Sequence, residues 1–540
     1  MQSARSGFAR PMTNDALKVP ADDAFKHIIA ALEKGDAFDH PAPGVKRIET
    51  HISVVLLAGE FAYKFKKPLD LGFVDFSTLE KRRFYCEEEL RLNRRLTPEL
   101  YLDVVPIGGS PDAPEWGGEP AIEYCLKMRR FPQEAELDRL VAAGAIEPRA
   151  FAELGRAVAA FHESADVAAP DSDYGGAEQV REAALANFDA LEDVPAELDL
   201  TADLDALGKW TQTELDRLAA RMDERKRGGR VRECHGDMHL TNMVVLDGRI
   251  RLFDCIEFNP HLRWTDVMAE VAFLLMDLDD RGRPDLGRGF LNAYLEAGGD
   301  YPGLELLVAF KVYRSMVRAK VAWLRAGQED AQAMDAQQRD KLERHVRLAR
   351  RYIEPAPPPP LIITHGLSGS GKTTLTGRLL GSADAVRVRS DVERKRLAGL
   401  DAGQRAGDEP GRGLYSRDQS ERTYERLERA ARSVLAAGMA AIVDAAFLDR
   451  DRRRQFRSLA ERAGCRFVIL DCAAPVEELR RRVAGRAGLG QDASDADLAI
   501  LERQLETAHP LSEEEQRAAV TVDTHAQIDV EALASRLGMV

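Results

Sequence analysis

LIITHGLSGSGKTT, residues 361–374, decides the fold of the C-terminal part of this chain. Its first four residues are apolar or β-branched, which predicts a buried strand. The glycine-rich segment that follows ends in Gly371-Lys372-Thr373 and leads into helical sequence. This spacing fits GxxxxGK[ST], in which the glycines let backbone N–H groups turn inward around a phosphate. We therefore predict a strand, a P-loop and a helix in this order.

The P-loop supplies most of the predicted nucleotide contacts. Lys372 would reach the β- and γ-phosphates of ATP, and the hydroxyl of Thr373 would bind Mg²⁺. The residues expected to contact the nucleotide are Gly366, Ser368, Gly369, Ser370, Gly371, Lys372, Thr373 and Thr374. The alternative is a chance glycine-rich turn, which does not account for the position of the motif between a strand and a helix.

Four more apolar runs follow the loop and alternate with long helical segments, which is typical of βαβ units in a parallel sheet. Asp391 and Asp444 come at the ends of two of these strands, at the edge where such sheets bind ligands. Asp391 could accept the proton of an attacking hydroxyl, or cap the helix that starts at VERKRL, or do both. Asp444 is expected to hold Mg²⁺. Arg482 and Arg486, four residues apart on one helix face, would close over the phosphates.

Residues 361 to about 527 resemble the small P-loop kinases related to polynucleotide kinase, gluconate kinase and chloramphenicol phosphotransferase. The resemblance is carried by RSD at 389–391, by DAAF at 444–447 and by the arginine-bearing segment followed by GLGQDASDAD. It implies transfer of a phosphoryl group to a hydroxyl.

A second motif, HGDMHLTN, begins at His235. Asp237 precedes Asn242 by five residues, and the strand IRLFD ends at Asp254. Protein kinases place a catalytic base and two Mg²⁺ ligands in this order, so we predict Asp237 as the base and the other two as metal ligands. His235 and His239 could bind a metal, but no third ligand has suitable spacing, and a structural role in shaping the loop is the favoured alternative.

The kinase pattern also needs a strand lysine paired with a glutamate from the next helix. EFAYKFKKP offers Lys64 and Lys66 on one strand face, and we choose Lys64 because it lies inside the apolar run. FYCEEELRL offers Glu87, Glu88 and Glu89, which the sequence does not distinguish. Glu88 is the prediction.

Residues 45 to about 345 resemble the aminoglycoside phosphotransferase family, whose HGDxHxxN loop is matched at every defined position. The resemblance implies an α+β, protein-kinase-like fold with a largely helical second lobe and a short strand turn, near LLAGE, over the nucleotide. It also implies that Asp266 is a structural aspartate that braces the catalytic loop. The two resemblances together point to bacterial proteins that join a phosphotransferase-like domain to an ATP-binding P-loop kinase.

EPAPPPP at 354–360 separates the two parts, since consecutive prolines end helices and favour an extended linker. We predict a protein-kinase-like domain over 1–353, with a small lobe at about 45–130 and a helical lobe at about 135–353. An α/β P-loop kinase domain with a parallel sheet is predicted over 361–540.

A helix predicted over 305–326 bears on the nature of the acceptor substrate of the N-terminal domain. Its basic residues form a stripe: Lys311, Arg314, Arg318 and Arg325. If this stripe faces the cleft, the acceptor is anionic, and if it does not, the stripe is a solvated helix face. Glu257 and Asn259, just past Asp254, could also contact the acceptor.

Composition limits the remaining possibilities. The 540 residues are 44% hydrophobic and 31% charged, as expected for a globular protein with at least two cores. The net charge of −14 argues against a general affinity for nucleic acid or anionic membranes. No apolar run approaches the roughly 20 residues that cross a bilayer. Neither a secretory signal nor paired cysteines are visible, so we expect reduced thiols in the cytoplasm. The oligomeric state is left open.

The sequence thus predicts a bifunctional ATP-dependent phosphotransferase, in which each domain transfers the γ-phosphate of ATP to a hydroxyl of a small molecule. In one alternative, the P-loop domain is an ATP-driven switch that regulates a single active phosphotransferase domain. In another, the C-terminal domain is a polynucleotide 5′-kinase, against which stand the acidic net charge and the lack of a basic, aromatic-rich stretch.

Overall fold

Two β-sheets of different type organise the molecule, and a mostly helical region lies between them in the chain. The computed structural model describes residues 23–72, 74–326, 336–400, 404, 416–486 and 498–539, without the side chain of Arg486. The first sheet is antiparallel and the second is parallel. The predicted combination of an α+β, kinase-like part with an α/β P-loop part is confirmed.

The antiparallel sheet has six strands and is flanked by two helices. Its elements are α1 (Asp23–Leu32), β1 (Lys46–Glu49), β2 (Ser53–Ala58), β3 (Phe61–Lys66), α2 (Leu79–Arg94), β4 (Tyr101–Ser110), β5 (Ala113–Trp116) and β6 (Glu123–Arg129), in the sheet order β1-β2-β3-β6-β4-β5. A turn closed by the hydrogen bond from Thr50 N–H to Ser53 O separates β1 from β2. A two-residue turn with Gly59 at φ 58° then returns the chain, so that Val55 pairs with Lys64.

The helical lobe is built around one buried helix. Its elements are α3 (Leu137–Ala142), α4 (Pro148–Ser164), α5 (Ala177–Asp189), α6 (Thr201–Arg227), β7 (Val231–Glu233), β8 (Met243–Leu246), β9 (Arg249–Leu252), α7 (Pro260–Arg263), β10 (Trp264–Asp266), α8 (Val267–Asp280), α9 (Pro284–Gly298), α10 (Leu307–Ala326) and α11 (Ala336–Tyr352). Residues 267–278 of α8 are all buried, as expected of a helix that is apolar on nearly every face. The pairs β7–β10 and β8–β9 frame the HGDMHLTN loop.

The parallel sheet has five strands, and the P-loop joins its strand β11 to helix α12. Its elements are β11 (Leu361–His365), α12 (Lys372–Leu379), β12 (Ala385–Arg389), α13 (Ser390–Leu397), α14 (Arg417–Ala436), β13 (Ala440–Asp444), α15 (Arg450–Arg462), β14 (Phe467–Ala473), α16 (Val476–Arg486), α17 (Leu498–Thr507), α18 (Glu513–Arg517), β15 (Ala519–Asp523) and α19 (Val530–Leu537). The order across the sheet is β12-β13-β11-β14-β15. All five predicted strands are confirmed; their continuous apolar runs are those of strands covered on both faces.

The two parts pack against each other. Helix α9 covers β12, the edge strand of the parallel sheet, and the 3₁₀ helix Tyr301–Leu306 packs on α14. Asn292 of α9 donates from Nδ2 to the carbonyl of Ala385 and accepts from the N–H of Arg387, both at 2.9 Å. One hydrophobic cluster includes residues of both α10 and α14. Backbone N–H and carbonyl groups of the edge strand β12 thus form hydrogen bonds with the other half of the chain.

Residues 354–360, between α11 and β11, have no regular secondary structure. All six cysteines are free thiols. Among the helices that the structure describes, none has the length and apolar character needed to cross a bilayer.

Candidate active sites

The HGDMHLTN segment forms a tight loop held by polar contacts. Gly236 has φ 89°, and a Cβ there would lie 3.0 Å from the carbonyl oxygen of Leu262, so only glycine fits without a shift. His235 is fully buried, and its Nε2 lies 2.9 Å from the carbonyl oxygen of Phe253. The N–H of Asp237 donates to His235 Nδ1. These contacts place the loop beside the end of β9, where Asp254 follows, and agree with the predicted structural role of His235.

Asp237 is the most constrained carboxylate of this loop. Its Oδ2 accepts from Asn242 Nδ2 at 2.8 Å and lies 3.1 Å from His239 Nε2. Burial disfavours the charge, but His239 and Arg318 outweigh it and hold the pKa of Asp237 well below its ordinary value. The carboxylate therefore stays ionised, as a proton acceptor must be. Because the amide nitrogen of Asn242 is engaged with Asp237, its Oδ1 is the atom that could bind a metal ion.

The strand lysine pairs with Glu89, so the choice of Glu88 is wrong. Lys64 Nζ lies 2.7 Å from Glu89 Oε1, and the Glu89 side chain is fully buried. Glu88 points elsewhere and pairs with Arg91 and Arg263. The inner face of α2 is marked by Cys86 and Leu92, three residues to either side of Glu89. That helical spacing is the signal that distinguishes the three glutamates.

Lys64 and Lys66 share this glutamate, as expected of side chains on one strand face. Lys66 Nζ lies 2.7 Å from Glu89 Oε2, and it also pairs with Glu257. Glu257 is 5% exposed. It therefore belongs to a buried charge network, and the suggestion that it contacts the acceptor is wrong. Lys64 also lies 2.5 Å from Asp254 Oδ1, which brings the predicted lysine and metal ligand together.

The carboxylates that brace the HGDMHLTN loop are Glu270 and Asp277, not Asp266. Asp277 Oδ2 accepts from the N–H of Leu240 at 2.9 Å. Glu270 Oε1 accepts from the N–H of Gly236 at 2.7 Å, and its Oε2 lies 2.7 Å from His162 Nε2. Asp266 instead caps α8 and pairs with Arg225. Glu270 lies one turn and Asp277 about three turns further along the same helix, whereas Asp266 caps the start of that helix.

Glu270, His162 and Cys234 have ligand atoms close enough to hold a metal ion. The other ring nitrogen of His162 lies 2.9 Å from the hydroxyl of Tyr294. Both histidine nitrogens and both carboxylate oxygens thus have hydrogen-bond partners within the fold. We interpret the group as a buried polar brace behind the loop.

The P-loop folds as its motif predicts. Gly366 has φ 137°, and a Cβ there would lie 2.5 Å from the carbonyl oxygen of Cys472. The ammonium of Lys372 lies over the loop and donates to the carbonyls of Gly366 and Leu367, both at 2.8 Å. Helix α12 starts at Lys372, so its N-terminal N–H groups face the same side.

A pocket of about 190 Å³ opens beside this loop. It is lined by Ser368, Gly369, Gly371, Lys372, Thr373, Arg389, Ser390, Asp391, Arg394, Tyr424, Asp444, Ala445, Ala446, Ile500 and Gln504. The structure thus brings Asp391 and Asp444 together with the P-loop lysine and threonine. Asp391 lies in the first turn of α13 behind the N-cap Arg389, so the alternative that Asp391 is the N-cap is wrong.

In the P-loop domain, four of the described residues predicted to contact the nucleotide do not line this pocket: Gly366, Ser370, Thr374 and Arg482. Thr374 is exposed in the first turn of α12. Arg482 donates to the carbonyls of Gly369 and Thr524 and so contacts the P-loop. The side chain of Arg486, and the residues 487–497 that follow it, lie outside the described residues.

Comparison with known proteins follows the same division of the chain. The phosphotransferase enzyme family model matches residues 85–307, and the AAA domain model matches residues 361–511. Uncharacterized proteins of Mycobacterium tuberculosis and Mycobacterium bovis are 32% identical over 485 residues, which span 87% of this chain and 93% of theirs. The chain belongs to this two-domain family. It joins a phosphotransferase domain to a kinase-like P-loop domain.

Two solved structures are similar to parts of the chain. A choline/ethanolamine kinase family protein from Mesorhizobium loti aligns with 62% of this chain and 95% of its own, at a TM-score of 0.39 and 12% identity. A gluconokinase from Sinorhizobium meliloti aligns with 34% of this chain and 91% of its own, at a TM-score of 0.24 and 19% identity.

The basic stripe of the phosphotransferase domain lies on α10, and its members have different surroundings. Lys311 pairs with Asp279. Arg314 is 6% exposed and lies over the ring of Phe273 at 4.8 Å, and its buried Nε has no hydrogen-bond partner in the part of the chain that the structure describes. Arg318, one turn on, lowers the pKa of Asp237. The stripe is therefore not a solvated helix face at its centre.

The end of the same stripe reaches the small lobe. Arg325 lines a cavity of about 550 Å³ with Glu49, Thr50, His51 and Lys67. Burial, Arg325 and Lys67 together lower the pKa of His51. The helix α10 thus presents cations from the HGDMHLTN loop to the edge of the antiparallel sheet.

Proposed function

We propose that the chain is a bifunctional ATP-dependent phosphotransferase that acts on hydroxyl groups of small molecules. The proposal takes residues 1–353 and 361–540 as the two catalytic domains and 354–360 as the linker between them. One observation supports it: each domain has an aspartate carboxylate close to residues that we propose as phosphate or metal ligands. These carboxylates are Asp237 in the phosphotransferase domain and Asp391 in the P-loop domain.

In the phosphotransferase domain, Lys64 would hold the α- and β-phosphates of ATP, and Glu89 keeps its ammonium in place. Asn242 and Asp254 offer amide and carboxylate oxygens, which are the ligand types that Mg²⁺ prefers. The Asp254 side chain is 46% exposed and so is accessible. When bound there, Mg²⁺ would neutralise charge on the β- and γ-phosphates.

The reaction at this site is an in-line displacement at the γ-phosphorus. The acceptor hydroxyl oxygen forms the new P–O bond, the bond to the β–γ bridging oxygen breaks, and ADP leaves. The hydroxyl proton passes to Asp237, whose lowered pKa keeps it unprotonated beforehand. His239 and Asn242 hold this carboxylate in place.

In the P-loop domain, Lys372 and the backbone N–H groups of the loop would bind the phosphates. Thr373 and Asp444 offer a hydroxyl and a carboxylate to Mg²⁺, and both line the pocket. Asp391 lines the same pocket and would accept the proton of the second acceptor. The same bonds form and break as in the first site.

The acceptor of the phosphotransferase domain is proposed to be an anion. Arg314 is a buried cation without a carboxylate partner among the described residues, and Arg318 acts on the catalytic aspartate. A buried, unpaired guanidinium is costly, and an acceptor carboxylate or phosphate would offset that cost. A cationic acceptor would meet repulsion at the same place.

A single-turnover experiment with γ-labelled ATP and a metabolite extract tests this function. Asp237→Asn and Asp391→Asn should each remove a different labelled product, with a rate loss of roughly 100-fold or more, because each removes a general base. Asp112→Asn and Asp451→Asn are matched controls, since those aspartates are 85% and 89% exposed and lie outside both sites. Removing anions from the extract with an exchange resin should abolish the Asp237-dependent product.

Each contrary outcome has a definite meaning. If neither substitution changes any product, the chain is not a phosphotransferase of this kind. If only Asp237→Asn loses a product, the P-loop domain is an ATP-driven switch. If labelled oligonucleotide ends are the only products that depend on Asp391, the second acceptor is a polynucleotide. If the Asp237-dependent product survives resin treatment, the first acceptor is not an anion.

A further inference from the structure

Glu296 reaches from the phosphotransferase domain into the P-loop domain. It lies in α9, and its Oε1 accepts from Arg389 Nη1 at 2.9 Å while its Oε2 lies 3.4 Å from Arg387 Nη2. Its backbone carbonyl accepts from Arg396. Arg387 and Arg389 are two residues apart on β12, so their side chains leave the strand on one face. A single carboxylate of one domain therefore holds two cations of the other.

Arg387 continues this contact to the P-loop helix. Its Nη1 donates to the carbonyl of Thr373 at 3.0 Å and to Thr376 Oγ1 at 3.3 Å. The hydroxyl of Thr376 in turn lies 3.3 Å from Asp444 Oδ2. The first turn of α12, which carries Thr373, is thus linked through Arg387 to Glu296.

Arg389 continues the contact to the phosphate pocket, which it lines together with Asp391 and Asp444. Burial disfavours its charge, but Glu296, Asp444 and Asp391 outweigh it and raise the pKa of Arg389. Asp391 and Asp444 lie at the pocket, and Glu296 lies across the domain interface. The ion pair with Glu296 is thus one of the contacts that set where the guanidinium lies at the pocket.

We propose that Glu296 is a positioning residue for the P-loop site: from the other domain it holds Arg389 at the pocket wall, where the guanidinium binds a phosphate oxygen of ATP. This inference rests on the proposed nucleotide binding at Lys372. If Glu296 has this role, the P-loop site is complete only when the two domains are docked. Docking then gives a physical reason for the two domains to share one chain.

The test measures binding of the fluorescent nucleotide MANT-ATP with Mg²⁺ to the full chain. The binding that Lys372→Ala removes is assigned to the P-loop site. Glu296→Gln should weaken this component roughly tenfold or more, because a hydrogen-bonded charge is misplaced. Arg389→Ala should weaken it similarly. The double variant should bind no more weakly than Arg389→Ala alone, because both substitutions remove one interaction.

Arg288→Ala is the matched control. Arg288 pairs with Asp384 at 2.7 Å across the same interface, but neither residue lines the phosphate pocket. This variant should keep the wild-type affinity at the P-loop site. It distinguishes the loss of Arg389 positioning from a general loosening of the interface. The Asp237-dependent transfer should be unchanged in both Arg288→Ala and Glu296→Gln.

The possible failures can be told apart. A wild-type chain without Lys372-dependent binding overturns the proposed function of this domain, and this inference with it. Lys372-dependent binding that Glu296→Gln leaves unchanged overturns the inference alone. So do additive losses in the double variant, or an equal loss in Arg288→Ala. Should Glu296→Gln not fold, unchanged binding in Arg389→Ala contradicts the inference just as directly.

Discussion

At the scale of single residues, the contrast between Glu88 and Glu89 gives a sharp prediction. Glu89 is fully buried between Lys64 and Lys66, whereas Glu88 is 15% exposed and pairs with arginines. Glu89→Gln should reduce Asp237-dependent phosphoryl transfer roughly 100-fold, because Lys64 loses the group that orients it. Removing one partner of a buried ion pair should also lower the free energy of unfolding by about 3–5 kcal/mol.

Glu88→Gln is the control, being the adjacent residue with the same chemistry. It should keep transfer close to the wild-type rate, because Glu88 pairs with Arg91 and Arg263 and not with Lys64. The rates come from single-turnover labelling, and urea unfolding shows which variants remain folded under assay conditions. Loss of transfer in Glu88→Gln together with full activity in Glu89→Gln would contradict the geometry.

The sequence predicts residues whose role follows from spacing along the chain. Asp237 and Asn242 are five residues apart on one loop, and the structure joins them by a hydrogen bond. Interaction partners that come from distant elements are harder to predict from the sequence, because they depend on which helix face is turned inward. Glu270 shows this: it contacts Gly236 across 34 residues, and only the packing of α8 reveals it.

At the scale of elements, a buried ion pair joins α15 to α18 in the P-loop domain. Arg453 is fully buried and lies 2.7 Å from Glu515 Oε1, while Ser512 and Glu515 form a capping box at the start of α18. Burial alone would raise the pKa of Glu515, but Arg453 and the N–H of Ser512 hold it at about 2, below the ordinary 4.5. The ionised carboxylate therefore stabilises the folded state.

The sign of the pH dependence follows from this lowered pKa. The stabilisation is present above about pH 4.5, decreases as the pH falls through the folded pKa near 2, and amounts to at most roughly 3 kcal/mol. Glu515→Gln should be less stable than the wild type at pH 7, and this difference should narrow between pH 4.5 and 2. Urea unfolding at several pH values measures it. Glu514→Gln, at a 72% exposed neighbour, should show little difference at any pH.

Elements differ in how well their sequence predicts them. The five strands of the parallel sheet are short apolar runs buried on both faces, so hydrophobicity alone identifies them. Strand β4 was not predicted. Its sequence YLDVVPIGGS contains a proline and two glycines, which are usually depleted in strands. It forms because it pairs with both β5 and β6, and that is a property of the sheet.

At the scale of the whole molecule, the docking of α9 on β12 could not be read from the sequence. Asn292 and Glu296 lie one turn apart on a helix and look like part of a solvated face. In the structure Asn292 is 7% exposed and completes the hydrogen bonding of the edge strand. Polar residues that bind another domain have the same sequence pattern as residues that face water, so only tertiary structure separates them.

This interface predicts that the two domains unfold together. The shared hydrophobic cluster and the hydrogen bonds of Asn292 connect them, and an interface of this kind opposes independent domain motion. We expect a single calorimetric transition whose van't Hoff and calorimetric enthalpies agree. Asn292→Ala leaves a buried N–H and a buried carbonyl of β12 unpaired, at about 1–3 kcal/mol each, and should divide the transition into two.

The control for this effect is Asn187→Ala. Asn187 is also buried, but its amide donates to carbonyls of its own helix α5, so its loss should lower the single transition temperature without dividing it. Two resolved transitions in the wild type would show that the domains are energetically independent. The same result would weaken the case for Glu296, because a site completed across an interface requires that interface to persist while the nucleotide binds.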